Sequence, residues 1–313
     1  MLSRIADSMF WLNRYMERAD GMLRLASTHY ILTLDKDSSR ATTWKSVLEI
    51  FTDSEENYLR SIENNTELSL KRLLVDNTNP NCLKLLVNRA RENARGVQDH
   101  ITKEVWEEVN QLYHLVNQPF LERKIDSFLG LEVMEPFIQH TVMYAGITDI
   151  TMPRGMGWCF MNLGKYIERC LQTIAFMQKQ LEVIHFREED TNDLLQWKYL
   201  LFSLSGYELH VKTYRSNNHN YNVLHQVLSN ENFTRSVHYS LQRIEHYLNK
   251  VINDQVNEER AALVRNFGRL FSKVRYIELD TLTKETVPAF FEEIKSDLVE
   301  FNQKVVQHFF SYS

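Results

Sequence analysis

The residues of this sequence that are best suited to chemistry lie in a short phrase that occurs twice. It reads Arg14-Tyr15-Met16-Glu17-Arg18 near the start of the chain and Lys165-Tyr166-Ile167-Glu168-Arg169 at an offset of 151. A glutamate can act as a general base, and an arginine can bind a carboxylate or a phosphate. Successive residues of a helix are ~100° apart, so the Glu and the Arg of one copy project from different sides. Each therefore needs a partner from another element.

Two interpretations of this Glu-Arg step stay open. In the first, the residues form ion pairs, either across the copies (Glu17 with Arg169, Glu168 with Arg18) or with arginines of later helices. Removing one member of a buried pair costs about 3–5 kcal/mol, so such residues can be indispensable without doing chemistry. In the second, the copies line a polar cleft between two halves, where the arginines bind an anionic group and a glutamate acts as a base.

A second polar cluster is the run Arg89-Ala90-Arg91-Glu92-Asn93-Ala94-Arg95. On a helix, Arg91 and Arg95 share one face, and Arg89 and Glu92 share another. The run is either a solvated or inter-helix charge network or a site for a phosphate or carboxylate. Together with the repeated phrase it defines the candidate polar site: Glu17, Arg18, Glu168, Arg169, Arg14, Tyr15, Tyr166, Arg91, Glu92, Asn93 and Arg95.

Nucleotide and metal motifs are weak or missing from the sequence. Gly164-Lys165 is followed by Tyr166 instead of the Ser or Thr of a phosphate-binding loop. His-Glu-x-x-His is absent, and Glu182–His185 is a single Glu-x-x-His where a di-iron bundle needs two. We therefore expect no metal and no cofactor. Cys82, Cys159 and Cys170 lack Cys-x-x-Cys spacing, which predicts reduced thiols in a cytoplasmic protein.

Composition and charge limit the class of protein. With 313 residues, 43% of them hydrophobic, the chain can bury a substantial core. The net charge of −5 argues against a nucleic-acid partner. No apolar run approaches the ~18–20 residues that span a bilayer, so no membrane segment is expected. With only 9 Gly and 5 Pro, helix-breaking residues are scarce, which predicts a mostly helical protein.

The elements that must position the repeated phrase are themselves repeated. The apolar stripe Met9, Leu12, Met16, Ala19, Leu23 and Ala26 has helical spacing, and an offset of 151 reproduces it from Phe160 to Met177. Trp44-Lys45 recurs as Trp197-Lys198, and the segment 82–97 recurs as 236–251. The sequence therefore predicts an all-α protein, one helical bundle over residues 1–313, built from two internally repeated halves of approximately 1–150 and 151–313.

Helix-breaking residues predict where that pattern changes. Seven of the fourteen Gly and Pro residues lie within 117–158, so helices there should be short or broken. The polar segment 217–222 is typical of a loop. Pro288 fits the start of a last helix that ends near Phe310.

The segments named above resemble a bacterial family, the alpha-E family, described as an all-helical domain with a shared Glu-Arg motif. The resemblance is carried by blocks in the right order over nearly the whole chain: residues 1–4, 15–19, 90–95, 106–107, 154–158 and 166–169, then Trp197 and Tyr214-Arg215. One departure is Cys170-Leu171, where the family more often has Ala-Asp, as in Ala19-Asp20 of the first copy.

The resemblance implies partners and a pathway. Proteins of this family are companions of a circularly permuted ATP-grasp protein and a transglutaminase-like protein, which implies a role in ATP-dependent peptide or amide-bond synthesis or modification. We expect an accessory helical subunit that binds the partner enzyme or its peptide product. One alternative is an enzyme of the same pathway with a Glu/Arg site between the halves; another is a purely structural helical homo-oligomer. The family supplies no catalytic residue to carry over.

Overall fold

The computed structural model describes residues 2–34, 43–126, 130–186, 191–216, 218–252 and 258–310. Within these ranges the backbone forms fifteen α-helices and two short 3-10 turns and contains no β-strand, which confirms the all-α prediction. The helices are α1 Ser3–Leu34, α2 Lys45–Phe51, α3 Glu56–Ile62, α4 Thr66–Leu74, α5 Leu83–Gly96, α6 Lys103–Val116, α7 Leu121–Asp126, α8 Gly130–Thr151, α9 Met156–Leu181, α10 Thr191–Ser203, α11 Tyr207–Thr213, α12 His219–Leu228, α13 Val237–Ile252, α14 Glu258–Arg275 and α15 Val287–Phe310. None of them combines the length and the apolar character needed to cross a bilayer.

The chain divides into two compact units. The first unit comprises residues 11–153, and the second unit comprises residues 1–10 and 154–313. The division at 153 and 154 lies close to the predicted boundary between the halves. The prediction of a single bundle with two repeated halves stays a prediction.

In the first unit, α6 packs between α5 and α8. The apolar stripe of α1 is buried as its spacing predicts, with Leu12, Leu23 and Ala26 fully inaccessible to solvent. Burial of an apolar face supplies most of the stability of such helices, because propensity alone is marginal. The helix that carries the first Glu-Arg step is therefore packed into the core of this unit.

In the second unit, α9 is the central helix. It packs against α13, α15 and α10, and α14 packs against α13 and α15. Leu163, Ile167 and Cys170 are fully buried, at the positions that the repeat predicts. The ring of Phe160 lies 5.4 Å from that of Phe309, which joins α9 to the end of the last helix.

The tryptophan of the repeated Trp-Lys step makes the same kind of bond in each unit. In the first unit the Trp44 indole donates to Oγ1 of Thr66, at 3.1 Å, in the first turn of α4. In the second unit the Trp197 indole donates to Oδ1 of Asn220, at 2.7 Å, in the first turn of α12. These paired bonds support the prediction of an internal duplication.

The turns before α5 and α13 also correspond. The amide of Cys82 donates to the carbonyl of Asn79 at 3.0 Å, and the amide of Ser236 donates to that of Phe233 at 2.8 Å. Both pairs lie at the offset of 154 that relates segment 82–97 to segment 236–251. The turn before α5 and the turn before α13 therefore contain the same backbone hydrogen bond.

Two local predictions were only partly right. Within 117–158, α7 is short, with 6 residues. The segment around Pro136 is neither short nor broken, because α8 runs for 22 residues with the proline inside it. Burial of neighbours such as Phe137 and Tyr144 offsets the lost hydrogen bond. The polar segment 217–222 is not all loop either: α12 begins at His219, where the Asn218 side chain accepts a bond from the Tyr221 amide and caps the helix. The prediction for Asn217 lies outside the described residues.

Candidate functional site

The glutamates of the two Glu-Arg steps are both buried. Glu17 of α1 is 6% exposed, and Glu168 of α9 is 4% exposed. The following arginines, Arg18 and Arg169, are half-buried. A buried carboxylate needs compensating charge or hydrogen bonds, so both glutamates belong to the interior of the protein. The predicted pairing of each glutamate with an arginine of the other copy stays a prediction.

The arginine of each Glu-Arg step binds a loop of its own unit. Arg18 binds the loop before α5, and Arg169 binds the loop before α13. Nη1 of Arg18 donates to Oδ1 of Asn81 at 2.8 Å, just before α5. Nη1 of Arg169 donates to the carbonyl of Thr234 at 3.4 Å, just before α13. Both arginines therefore act as anchors between a long helix and a neighbouring loop.

The basic and aromatic members of the first copy form a stack on α1. The Arg14 side chain is buried, and its guanidinium lies 4.8 Å from the ring centroid of Trp11. The rings of Trp11 and Tyr15 stack at 5.4 Å. A guanidinium at this distance from an indole face makes a favourable cation–π contact, so Arg14 and Tyr15 contribute to packing.

A polar seam joins α1 to α8 inside the first unit. The hydroxyl of Tyr144 donates to Oδ1 of Asn13 at 2.5 Å, and the hydroxyl of Thr141 donates to Oδ1 of Asp20 at 2.9 Å. Burial raises the pKa of Tyr144, so its phenol stays a hydrogen-bond donor. Asp20 is the residue that the second copy replaces by Leu171, and here it fixes a helix contact.

Sequence reasoning missed this seam. The partners lie more than 100 positions apart, and no pattern in α1 points to α8. The available signal was the spacing of Thr141, Tyr144 and Thr148, which places three polar side chains on one face of α8.

The second copy of the phrase builds an aromatic and basic cluster, which we call the Tyr166 cluster. The ring of Tyr166 lies 6.1 Å from the rings of Tyr239 and Tyr247, and it is nearly parallel to the latter at 14°. The guanidinium carbons of Arg169 and Arg243 lie 5.4 and 5.7 Å from its centroid. Arg169 and Tyr166 come from α9, and the other three come from α13. Sequence reasoning named Tyr166 and Arg169 as site residues but not their α13 partners.

Burial keeps two phenols of the Tyr166 cluster, those of Tyr166 and Tyr247, neutral. Burial raises the pKa of Tyr166 to about 12, and burial also raises the pKa of Tyr247. Burial opposes the charge on Arg243, but the neighbouring phenols, Tyr247 first, outweigh it and raise its pKa. Near neutral pH the cluster therefore holds two guanidinium cations beside the uncharged phenols of Tyr166 and Tyr247. This combination suits binding of an anion better than proton transfer, which needs a pKa near the working pH.

The predicted site residue Arg91 is committed to packing within the first unit. Its Nε donates to Oδ1 of Asn110 at 2.7 Å, which joins α5 to α6. Its guanidinium also lies 4.3 Å from the ring centroid of Tyr113. These contacts favour an inter-helix network at this position over a ligand site.

The rest of that cluster is solvated. Arg95 pairs with Glu92 at 2.5 Å along the exposed face of α5, and exposed pairs of this kind contribute little to stability. The side chain of Asn93 donates to the carbonyl of Arg89 at 2.9 Å. The structure thus brings Glu92 and Arg95 together, but it does not converge the cluster on one point.

Metal-ligand chemistry has no arranged site in the described part of the chain, because no three His, Cys, Asp or Glu side chains converge there. Glu182 of the single Glu-x-x-His instead pairs with Lys179 at 2.8 Å. The three cysteines, Cys82, Cys159 and Cys170, are free and buried, and burial raises the pKa of each thiol. Such thiols react slowly, because the thiolate is the nucleophile.

Comparison with known proteins identifies one family and two relatives. The model of one family matches residues 1–310; the family is named Alpha-E and described as a predicted alpha-helical domain with a conserved ER motif. Two curated relatives, uncharacterised proteins of Mycobacterium bovis and Mycobacterium tuberculosis, are each 23% identical over 199 residues. The match takes in 58% of this chain and only 22% of each relative, so the chain spans about a fifth of those proteins. No solved structure matches.

The family match covers every described helix, from α1 to the end of α15, and its description agrees with the all-α fold. This chain belongs to the Alpha-E family.

Proposed function

We propose that this protein is an accessory helical subunit of an ATP-grasp and transglutaminase-like system for peptide synthesis or modification. It binds the partner enzyme or the peptide product, and it uses no metal or cofactor of its own. It acts in the cytoplasm and has no nucleic-acid partner. The partners come from the family resemblance; the preference for binding over catalysis comes from the site.

The observation that carries this preference is the Tyr166 cluster. Two guanidinium groups, of Arg169 and Arg243, lie against aromatic rings whose phenols stay protonated. Arginines on aromatic faces with neutral donors nearby favour recognition of carboxylates, which peptides and acidic protein surfaces both carry. The size of the two relatives adds support, because a segment found within much longer chains acts beside other domains.

Co-expression with the ATP-grasp protein and the transglutaminase-like protein of the same organism tests the proposal. We expect the full chain to elute with at least one of them in gel filtration at micromolar concentration. Arg169→Ala should weaken co-elution, and Arg60→Ala, which removes an exposed arginine of α3, should not. Separate elution of the folded wild-type chain from both proteins would overturn the proposal.

The rival enzyme hypothesis predicts a different result in the same system. If Glu17 acts as a base, Glu17→Gln abolishes pathway activity but leaves both the melting temperature and co-elution unchanged. The accessory role predicts that activity falls only where co-elution or stability also falls.

A further inference from the structure

The face of α13 that carries Arg243 of the Tyr166 cluster also carries a depression to which the accessory role assigns no ligand. An open depression of about 350 Å³ runs along this helix, lined by Gln242, Arg243, Glu245, His246 and Asn249. These positions follow helical spacing, so they share one side of α13. All but one of these side chains are amides or cations or can become cations, and the exception, Glu245, has Arg275 at 3.9 Å.

A buried hydroxyl beside this depression is bonded only by a donor in the described part of the chain. Tyr247 is 2% exposed, and its oxygen receives a bond from Nη2 of Arg243 at 2.6 Å. An arginine side chain can only donate. The hydroxyl hydrogen of Tyr247 therefore has no acceptor among the described partners, and a buried unsatisfied donor is costly.

The guanidinium of Arg243 has donors to spare as well. One nitrogen is used by Tyr247, while Nε is buried without a partner in the described part of the chain. The ring of Tyr247 lies 5.0 Å from the guanidinium carbon and limits its rotation. The arginine is thus held in place with a positive charge that a single neutral phenol does not balance.

Two cations lie close to His246, which lines this depression. Burial, then the charges of Lys250 and Arg243, lower the pKa of His246. A cationic environment of this kind penalises imidazolium and favours a bound anion.

We propose that the Arg243 face of α13 is a binding site for an anionic oxygen group, a carboxylate or a phosphate. Arg243 supplies the charge, and the Tyr247 hydroxyl supplies a hydrogen bond from the buried side. Gln242 and Asn249 flank the group with neutral amide donors. The site shares Arg243 with the Tyr166 cluster and so deepens the accessory role, on which it rests. Because it is tested on the isolated chain, its failure and the failure of the accessory role can be told apart.

Titration calorimetry on the full chain tests this site with three probes: inorganic phosphate, an acetylated dialanine with a free carboxylate, and the same peptide as its amide. We expect saturable binding of at least one anion and none of the amide, and the tighter anion identifies the source. Arg243→Ala should weaken binding by about tenfold or more, since charge-assisted bonds are the strong ones. Arg265→Ala, which removes an exposed arginine of α14, should leave affinity within about twofold, because exposed charges contribute little.

A second readout does not rely on a disruptive variant. The proton resonance of His246, assigned with His246→Gln, should report a higher pKa when the anion is bound, because negative charge stabilises imidazolium. Tyr247→Phe keeps the ring and should reduce affinity without preventing folding. No saturable binding of either anion, equal affinity in Arg243→Ala, or an unchanged His246 pKa at saturation would each overturn the proposal.

Discussion

Replacement of Tyr144 by phenylalanine is the sharpest test of how the first unit is held together. The substitution removes one oxygen and keeps the ring. That oxygen lies 2.5 Å from Oδ1 of Asn13, and both residues are at most 4% exposed. After the change, water cannot easily replace the lost donor, so the amide oxygen of Asn13 stays buried without it.

The expected loss of stability follows from this geometry. A typical hydrogen bond contributes about 0.5–1.5 kcal/mol net, but leaving a buried acceptor unsatisfied costs about 1–3 kcal/mol. We therefore expect Tyr144→Phe to lower the free energy of unfolding by about 1–3 kcal/mol. For a unit of this size each kcal/mol corresponds to about 2–4 °C in melting temperature.

Urea unfolding followed by circular dichroism measures this effect. The matched control is Tyr58→Phe in α3, where the same atom is lost from a side chain that is 44% exposed; we expect a change within about 0.5 kcal/mol. When Asn13 is substituted as well, loss of the Tyr144 hydroxyl should change the free energy of unfolding very little, because no acceptor is then left unsatisfied. Equal effects of Tyr144→Phe and Tyr58→Phe would refute the role given to the seam between α1 and α8.

Three further predictions follow from described contacts. Arg18→Ala and Asn81→Ala should each destabilise the protein, and a double-mutant cycle in thermal melts should show coupling of about 0.5–1.5 kcal/mol; additive losses would contradict the anchor. Gly206→Ala should cost about 1–3 kcal/mol because its Cβ would lie 2.7 Å from a buried ring, whereas Gly146→Ala, with open space, should be neutral or stabilising in the same melts. Burial lowers the pKa of His29 from 6.5 to about 4, so the unfolded chain takes up a proton that the folded chain does not, and stability should fall as pH drops from 6.5 to 4. A His29→Phe variant should lose stability less steeply over that range in urea titrations, and an unchanged slope would contradict the assignment.

The long helices could be predicted because their signal is local. The stripe from Met9 to Ala26 has helical spacing over many turns, and both it and its copy are helical and buried. The short helices α3, α4 and α11, of 7 to 9 residues, span too few turns to show a period. The continuity of α8 through Pro136 depends on tertiary packing, and a prediction from Gly and Pro positions alone does not include that packing.

The candidate site could be predicted only in part. The phrase identified buried Glu17 and Glu168 and two anchoring arginines, because its two copies share types and spacing. It did not reveal Asn13 and Tyr144, whose partners come from distant parts of the chain. The contact between Arg243 and Tyr247 could have been predicted from the sequence, because residues four apart on a helix share a face.

Co-elution with the ATP-grasp protein tests the central claim most directly. The full chain is co-expressed with the ATP-grasp protein of the same organism and applied to gel filtration at micromolar concentration. The two should elute as one complex. That complex should weaken when Arg169 is replaced by alanine. The accessory role would be contradicted if the folded chain elutes apart from both the ATP-grasp protein and the transglutaminase-like protein, and if Arg169→Ala leaves the elution profile unaltered.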